Sequence, residues 1–286
     1  MESLDETRHN GSVTYREMGR NGRLANQMFQ IAGTISYALT HNKSFVFPYW
    51  PYSKYMQKEL PIGELLDTIN VPVQFHYAPI EDIPGKNVNL VSGHMQSSKY
   101  FAHHWETIKP YLTIKNEYKE AILSKYSSKE ILSSKKICSI HCRLCDYTLP
   151  VNIEYHGMCS MDYYRNAVIA IFGEDRPRDV LFVIFSDEID KAKKMFNLPN
   201  MYFVEPDDSI VPKMKDFSGL PMGNGDLMDL FLMSFCSNNI ICNSSFSWFA
   251  AWLNENPDKK VVAPIKWFSN APIITKDIIE KNWIAI

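Results

Sequence analysis

The chain has 286 residues, of which 45% are hydrophobic. That length is enough for one large or two medium domains, each with its own core, and the composition excludes a disordered protein. Thirty basic and 32 acidic side chains give a formal net charge of -2, so a general affinity for nucleic acid or for an anionic membrane is not expected. Any anion that the protein binds must be met by a local site.

The N-terminal residues and the cysteines favour a cytoplasmic location. The first ten residues, MESLDETRHN, carry acidic groups and no apolar core, so neither a signal peptide nor a membrane anchor is expected. No later run is apolar over the length that crosses a bilayer. The six cysteines lack the spacing of a disulfide framework, which favours reduced thiols. A glycan on the sequon at Asn243 would block the ligand site predicted below.

The first half of the chain begins with a strand, a glycine loop and a helix. The pattern predicts a strand over 13–18, and from Asn26 the apolar residues follow helical spacing. The loop between them holds Gly19, Gly22 and Arg23. Such a corner places backbone amides and a helix N-terminus over a ligand, which suits an anion or a sugar. The alternative is that Gly22 only permits a tight turn.

A proline-broken aromatic segment over 48–55 and a polar run over 127–136 interrupt the rest of this half. The aromatic segment would form a floor for a sugar ring or, more commonly, a hydrophobic lid over the core. The polar run is the predicted domain boundary, between domains 1–134 and 135–286. Periodicity predicts strands over 44–47, 71–77 and 87–92, and helices over 99–109 and 116–126.

The second half alternates strands and helices regularly, which predicts a doubly wound parallel sheet. The strands are expected over 137–141, 180–185, 201–204, 239–242 and 260–263. The helices between them are expected over 160–172, 187–196, 226–235 and 246–254, the first capped by Ser160 and ended by Gly173.

The stretch KICSIHCRLCDY, residues 136–147, is the most informative part of the chain. A buried strand ends there and is followed at once by Arg143 and Asp146. These two side chains should lie at the carboxyl end of the strand, where open α/β sheets bind ligands, and an arginine fork suits a phosphate. Ser244 and Ser245 stand between a later strand and its helix, as helix caps, as phosphate ligands, or as both.

Three other patterns carry little weight. The C-x-x-C of Cys142 and Cys145 has no second pair, so a zinc or redox site is not favoured. The segment 223–225 lacks the third glycine of a dinucleotide motif. A strict D-x-D is absent, so a bound diphosphate would be met by Arg143, backbone amides and hydroxyls rather than through a metal.

Several motifs together resemble one family. Residues 22–30, GRLANQMFQ, are similar to the G-x-L-G-N-Q-M-F-Q signature of the inverting α-1,2-fucosyltransferases, and residues 141–147, HCRLCDY, are similar to their H-x-R-R-G-D-Y. Residues 185–188, 229–234, 243–248 and 91–101 resemble the further family blocks F-S-D-D, D-x-x-L-M-S, N-S-S-F-S-W-W and G-Y-x-Q-S-x-K-Y-F. The blocks occur in order over most of the chain.

The resemblance implies an α/β fold of the GT-B kind with two Rossmann-like domains, which transfers fucose from GDP-fucose with inversion and without a metal. Arg143 would then hold the diphosphate, Asp229 would read the guanine and Ser245 would bind phosphate. The N-terminal domain would face the acceptor and close over the donor. The donor-binding residues implied are Gly22, Arg23, Asn26, Gln27, His141, Arg143, Asp229, Ser244, Ser245 and Phe246.

The reaction expected is transfer of fucose to a glycan hydroxyl, the 2-hydroxyl of a galactose-like sugar, with a nucleotide sugar and a glycan as partners. Leu144 replaces the second arginine of the family motif, so a different GDP-sugar donor or a non-catalytic relative stays an alternative. For the proton of the acceptor, Asp146, His156 and Asp187 are candidate bases. Asp146 would equally orient Arg143, and the leaving diphosphate is a further alternative. With Arg143 these three residues are the predicted catalytic set.

Overall fold

The computed structural model describes residues 10–20, 22–127, 136–144, 154–174, 179–211 and 226–286. The chain divides into two compact units, Met1–Thr113 and Ile114–Ile286. The sequence places the boundary later, at 134/135. The difference is the helix α3 (Asn116–Ser127), which packs against helix α6 (Asp226–Ser234) and so belongs with the second unit.

The first unit contains a four-stranded parallel sheet in the order β2-β1-β4-β3. Its strands are β1 (Ser12–Thr14), β2 (Ser44–Phe45), β3 (Thr68–Pro72) and β4 (Asn87–Val91). Helix α1 (Leu24–Thr40) is buried over most of its length and on nearly every face, including the polar residues Gln27, Gln30, Thr34 and Ser36. Such a helix needs neighbours all round. At Gly33 an added Cβ would come within 2.5 Å of the Met95 sulfur, so glycine permits this close packing.

Two predicted elements of this unit differ in the structure. The helix expected over 99–109 is broken into 3-10 turns at Ser98–Tyr100 and Ala102–His104 and the short helix α2 (Trp105–Ile108). The break falls at Phe101, whose φ of -138° is not helical and whose ring is fully buried against Phe29. The strand expected over 71–77 ends at Pro72 at the edge of the sheet, where proline is tolerated.

The second unit is a six-stranded sheet whose paired strands are all parallel, in the order β10-β9-β8-β5-β6-β7. This confirms the predicted parallel α/β sheet. The strands are β5 (Lys136–Cys142), β6 (Val180–Ser186), β7 (Met201–Phe203), β8 (Asn238–Ile240), β9 (Val261–Ala263) and β10 (Ile284–Ala285). The helices α4 (Met161–Phe172), α5 (Ile189–Met195), α6 and α7 (Ser245–Leu253) lie between them in the chain.

The core of the second unit explains why the strands are uniformly apolar. From Ile137 to Cys142 every residue of β5 is buried, because β5 lies in the interior of the sheet with β6 on one side and β8 on the other. Helix α4 begins at its predicted cap, where the Ser160 hydroxyl accepts the Tyr163 N–H, and ends at Gly173 with φ +83°.

Candidate functional site

The carboxyl ends of three neighbouring strands meet in the second unit. Strand β5 pairs with β6, with His141 opposite Phe185 and Cys142 opposite Ser186, and it pairs with β8 on its other side. After β7 the chain returns to place β8 beside β5, so the strand order reverses between these two strands. Open α/β sheets bind ligands in the crevice at this reversal. The sequence-predicted residues that follow β5, β6 and β8 are therefore brought to one edge.

Arg143 and Asp187 form a fixed ion pair at this edge. The guanidinium Nε of Arg143 lies 3.0 Å from one carboxylate oxygen of Asp187. The other oxygen accepts the Leu144 backbone N–H at 2.7 Å. Both oxygens of Asp187 therefore hold the segment that follows β5. This arrangement favours a role for Asp187 in orienting Arg143 over the role of base.

Leu144 occupies the position of the second arginine of the family motif. Its side chain is 2% exposed and belongs to the hydrophobic core of the second unit, together with Cys142 and Tyr164. A charged side chain in that place would have to leave the core. The departure from the motif is therefore accommodated as core packing. Asp146, the neighbouring candidate base, lies outside the described residues.

His141 lies at the end of β5 and is almost fully buried. Its Nδ1 is 3.2 Å from the Cys242 thiol, and its ring lies beside Phe246 with centroids 5.5 Å apart. Burial lowers the pKa of His141 to about 4, against the opposing effect of the Asp187 charge. His141 is therefore a neutral imidazole at neutral pH.

The turn from β8 into α7 presents a helix N-terminus to the same edge. The Ser244 hydroxyl caps the helix by accepting the Phe246 N–H at 3.4 Å, and Ser245 is the first helical residue. The first turn contains no acidic residue. The partial positive charge of the helix start is therefore available to an anion, and a diphosphate beside Arg143 would use it.

Asn243 joins two loops to this turn. Its side-chain amide donates to the carbonyl of His156 at 2.9 Å and to that of Trp267 at 3.1 Å. The loop that carries the candidate base His156 is thus held at the carboxyl end of β8. Asn243 itself is 4% exposed, so its side chain is engaged and its sequon is buried. The sequence marks Asn243 as a sequon and as the first residue of the N-S-S-F-S-W-W-like block, but its bonds to distant backbone carbonyls leave no sequence signal.

Asp229 lies in α6 and carries a partly buried carboxyl group. The residue is half-buried, yet its Oδ1 atom is fully buried and accepts no hydrogen bond from the described residues. Burial raises the pKa of Asp229 well above its usual range, and the charge of Asp226 adds to the shift. The paired N–H donors of a guanine edge would stabilise the ionised form of this carboxyl group, which burial disfavours.

In the first unit, the predicted residues surround the start of α1. Gly22 has φ +91°, and an added Cβ would lie 2.5 Å from the Asn26 side chain, so both backbone conformation and space require glycine. Gln27 donates to the Gly22 carbonyl at 3.0 Å and accepts from the Trp50 indole at 2.8 Å. Arg23 is exposed and gives the helix no side-chain cap. Glycine here does more than allow a turn, because it shapes a packed corner.

Side chains that follow β4 complete this corner. Gln96 donates to the Asn26 side chain at 2.6 Å, and the Gln30 amide lies 3.1 Å from Nδ1 of His94. Strand order reverses between β1 and β4, so this is the reversal point of the first sheet. The sequence gives no direct signal for the pairings of Gln96 and His94, because they join residues more than 60 positions apart.

The aromatic segment over 48–55 is mostly core. Trp50, Tyr52 and Tyr55 are 1%, 2% and 5% exposed, so the segment is a hydrophobic cover rather than an open sugar platform.

The described residues hold no group of three or more histidine, cysteine or acidic side chains arranged for a metal. The five described cysteines are buried free thiols, and Cys145 lies outside the described residues. Within the described ranges, no helix has both the length and the hydrophobicity to span a membrane.

Comparison with known proteins decides the family. The model of "Glycosyl transferase family 11" matches residues 7–286. The chain belongs to this family. It is therefore a glycosyltransferase, and the resemblance seen in its motifs is confirmed at the level of the family.

Two curated relatives of this family 11 protein come from Escherichia coli. The chain is 33% identical over 204 residues to the O-antigen biosynthesis glycosyltransferase WbnK, a match that covers 70% of the chain and 61% of WbnK, less than two thirds of its length. It is 26% identical over 296 residues to an alpha-1,2-colitosyltransferase, which covers 93% of the chain and 96% of that protein.

Solved fucosyltransferase structures share the fold. NodZ alpha-1,6-fucosyltransferase from Bradyrhizobium, co-crystallised with GDP, superposes with a TM-score of 0.52 at 15% identity, over 86% of the chain and 93% of NodZ. An Arabidopsis thaliana FUT1 variant in complex with GDP gives 0.53 at 12% identity, over 91% of the chain and 71% of FUT1. At these identities the likeness concerns the fold, and the predicted GT-B-like α/β class with Rossmann-like domains is confirmed.

Proposed function

We propose that this family 11 glycosyltransferase transfers fucose from GDP-fucose to the 2-hydroxyl of a galactose-like sugar, with inversion. The observation that carries the proposal is the edge at β5 and β8. There a fixed arginine, a buried neutral histidine and an acid-free helix start converge at the reversal of strand order. These are the groups that a nucleoside diphosphate requires.

The diphosphate would be held by Arg143 and the N-terminus of α7. As the bond between the sugar and the diphosphate breaks, negative charge grows on the leaving oxygens. A guanidinium already fixed by Asp187 stabilises that charge without reorganising, which is the main source of catalysis in such sites. Ser245 would contact the diphosphate at the start of α7, Phe246 would line the nucleotide site beside His141, and Asp229 would accept the N–H groups of the guanine.

The acceptor hydroxyl must lose a proton as it attacks an oxocarbenium-like sugar. Asp187 is engaged through both oxygens, so we assign it to positioning. His156, held at the carboxyl end of β8 by Asn243, is the described candidate for the base. Asp146 and the leaving diphosphate are its competitors. The pH profiles of Asp146→Asn and His156→Ala separate the three: loss of one limb in a single variant identifies that residue, and unchanged profiles in both identify the diphosphate.

A second donor is favoured by a specific comparison. The relative whose length is matched almost completely is named an alpha-1,2-colitosyltransferase, and Leu144 changes the motif beside Arg143. Colitose and fucose are both deoxy sugars, so GDP-colitose as donor would use the same binding site for GDP and change only the contacts to the sugar. A sugar-nucleotide-binding protein without turnover would also have this GDP site.

The deciding experiment measures product as well as binding. Purified protein is given GDP-fucose, GDP-colitose or GDP-mannose with a β-galactoside or with its 2-deoxy analogue. We expect acceptor-dependent GDP release and a fucosylated product only with GDP-fucose and the intact galactoside, unaffected by a chelator, with the anomeric configuration opposite to that of the donor. Product with GDP-colitose alone selects the second donor. Binding of GDP without product for any pair contradicts both transferase assignments, and product from the 2-deoxy acceptor contradicts the 2-hydroxyl assignment.

A further inference from the structure

We propose that Cys242 is a positioning residue whose thiol holds His141 in the tautomer that carries its proton on Nε2. His141 would then present one N–H donor to the bound nucleotide. The nucleotide part of this inference rests on the function proposed above. The tautomer is a property of the protein alone.

The geometry places one hydrogen-bonding group against Nδ1. The Cys242 sulfur lies 3.2 Å from it and is 1% exposed, between the end of β8 and the start of α7. The next polar contact of the sulfur is the Ser247 hydroxyl at 3.9 Å. That hydroxyl can donate to the Ser244 carbonyl at 3.4 Å. The nearer acceptor for the thiol proton is therefore Nδ1.

The protonation states are compatible with this direction. Burial raises the pKa of the Cys242 thiol well above its usual range and lowers the pKa of His141. At neutral pH the pair is thus a thiol and a neutral imidazole, with one proton each. In a neutral imidazole, the hydrogen bond at one ring nitrogen sets the protonation of the other. A thiol that donates to Nδ1 leaves the imidazole proton on Nε2.

The choice of tautomer matters for the ligand. Phosphate and ribose oxygens accept hydrogen bonds, so an Nε2–H attracts them, whereas the lone pair of an unprotonated Nε2 repels an anionic oxygen. Among the described residues, none forms a hydrogen bond with Nε2. A neutral donor fixed beside Arg143 adds a directional contact to the charge that Arg143 supplies.

Core packing alone is the competing explanation, because Cys242 also belongs to the hydrophobic core of the second unit. Cys138 offers a matched control. It is a fully buried thiol of the same core, on the same strand as His141, and it donates to the Ser139 carbonyl instead of to a histidine. A role in packing predicts the same behaviour from both cysteines, whereas a role in positioning is confined to Cys242.

The first measurement is the nitrogen NMR spectrum of protein labelled in histidine, without ligand, with His141 assigned by the loss of its signals in His141→Gln. We expect a protonated Nε2 and an unprotonated Nδ1 in the parent, in Cys242→Ser, which keeps a donor, and in Cys138→Ala. We expect a mixture of tautomers in Cys242→Ala and in Cys242→Val, which fills the space and removes the donor. A parent with its proton on Nδ1, or a Cys242→Val with the parent signature, overturns the proposal.

The second measurement is GDP affinity by calorimetry, with turnover of the preferred GDP-sugar. GDP would select the Nε2–H form from a mixture of tautomers. Cys242→Val should therefore lose GDP affinity in proportion to the fraction of His141 that leaves this form, about twofold for an equal mixture, while Cys242→Ser and Cys138→Ala keep the parent affinity. Equal losses in Cys242→Val and Cys138→Ala show packing and reject the inference. A parent that has the expected tautomer and does not bind GDP contradicts the proposed function and leaves the tautomer assignment supported.

Discussion

Each unit has a corner in which a strand, a turn and a helix start lie at a reversal of strand order: β1 to α1 in the first unit and β8 to α7 in the second. The two corners carry different side chains. At the start of α1 the side chains of Asn26 and Gln27 are amides, tied by neutral hydrogen bonds to Gln96 and Trp50. The start of α7 has its own serine cap. Neither first turn contains an acidic residue.

The two corners differ in the exposure of their arginines. Arg143 follows β5, is largely buried and pairs with Asp187, whereas Arg23 at the start of α1 is exposed. A locked cation beside a helix start suits a diphosphate, and a frame of amides suits sugar hydroxyls. Two corners that look equally polar in the sequence thus differ: the corner at α7 holds a largely buried ion-paired arginine, and the corner at α1 is lined by hydrogen-bonded amides.

The largest effect is expected at Arg143. Arg143→Lys keeps a positive charge and loses the fork that pairs with Asp187 and the diphosphate. We expect kcat to fall by about a hundredfold to a thousandfold in steady-state assays of GDP release. Arg165→Lys, at an exposed position of α4, is the control and should keep full turnover. Near-parent turnover of Arg143→Lys would contradict the assignment of Arg143 to the diphosphate.

Asp229→Asn should weaken GDP binding and, at neutral pH, increase the free energy of unfolding. The substitution removes the carboxylate acceptor, so GDP affinity should fall by about tenfold to a hundredfold, with less effect on a nucleotide without guanine. The raised pKa of Asp229 means that the unfolded state releases its proton at lower pH than the native state. Stability from this group is present below the ordinary pKa of an aspartate and is lost as pH rises from there toward the raised native pKa.

Thermal unfolding against pH checks this second effect. The parent and Asp229→Asn should be similar below pH 4, and Asp229→Asn should be the more stable at pH 7. The control Asp190→Asn, at an exposed site of α5, should have the same pH dependence of thermal unfolding as the parent. A destabilised Asp229→Asn at pH 7 contradicts the burial of the carboxyl group.

Much of the fold is predictable because periodicity reports burial. Strand β5 and helix α4 match the sequence closely, since uniform apolarity, a serine cap and a terminal glycine are local signals. The helix over 99–109 is mispredicted because Phe101 turns into the core, a tertiary effect that overrides propensity. Strand β10 is two residues long and gives no periodicity.

The site is predictable where a residue directly follows a strand, as Arg143 does, or directly precedes a helix, as Ser244 does. The partners of these residues are not predictable. The bonds of Asp187 to Leu144 and of Cys242 to His141 join positions 43 and 101 apart. Their formation depends on the order of strands in the sheet, which the spacing of motifs does not contain.

A smaller effect separates the cap at Ser244 from its possible contact with the ligand. Ser244→Ala removes the hydroxyl that accepts the Phe246 N–H and should cost about 1 kcal/mol of unfolding free energy. Ser160→Ala removes the equivalent cap of α4 and should cost about the same. In denaturant titrations the two should match, and in calorimetry only Ser244→Ala should lose GDP affinity. Equal GDP affinity in both variants would make Ser244 a cap alone.

The smallest effect is expected at Arg23, where α1 lacks a side-chain cap. Arg23→Ser supplies one and should raise the unfolding free energy by about 0.5 kcal/mol. If the corner at the start of α1 does not bind the diphosphate, Arg23→Ser should change GDP affinity less than Arg143→Lys does, with both variants measured at the same ionic strength. A loss of GDP affinity as large as that of Arg143→Lys would make the two corners equivalent.

The most direct test of the central claim is a crystal structure of the protein with GDP. We expect a diphosphate that contacts the guanidinium of Arg143 and the start of α7, with the guanine edge at Asp229. A diphosphate held by the segment Gly22–Gln27, without contact to Arg143, would contradict this expectation.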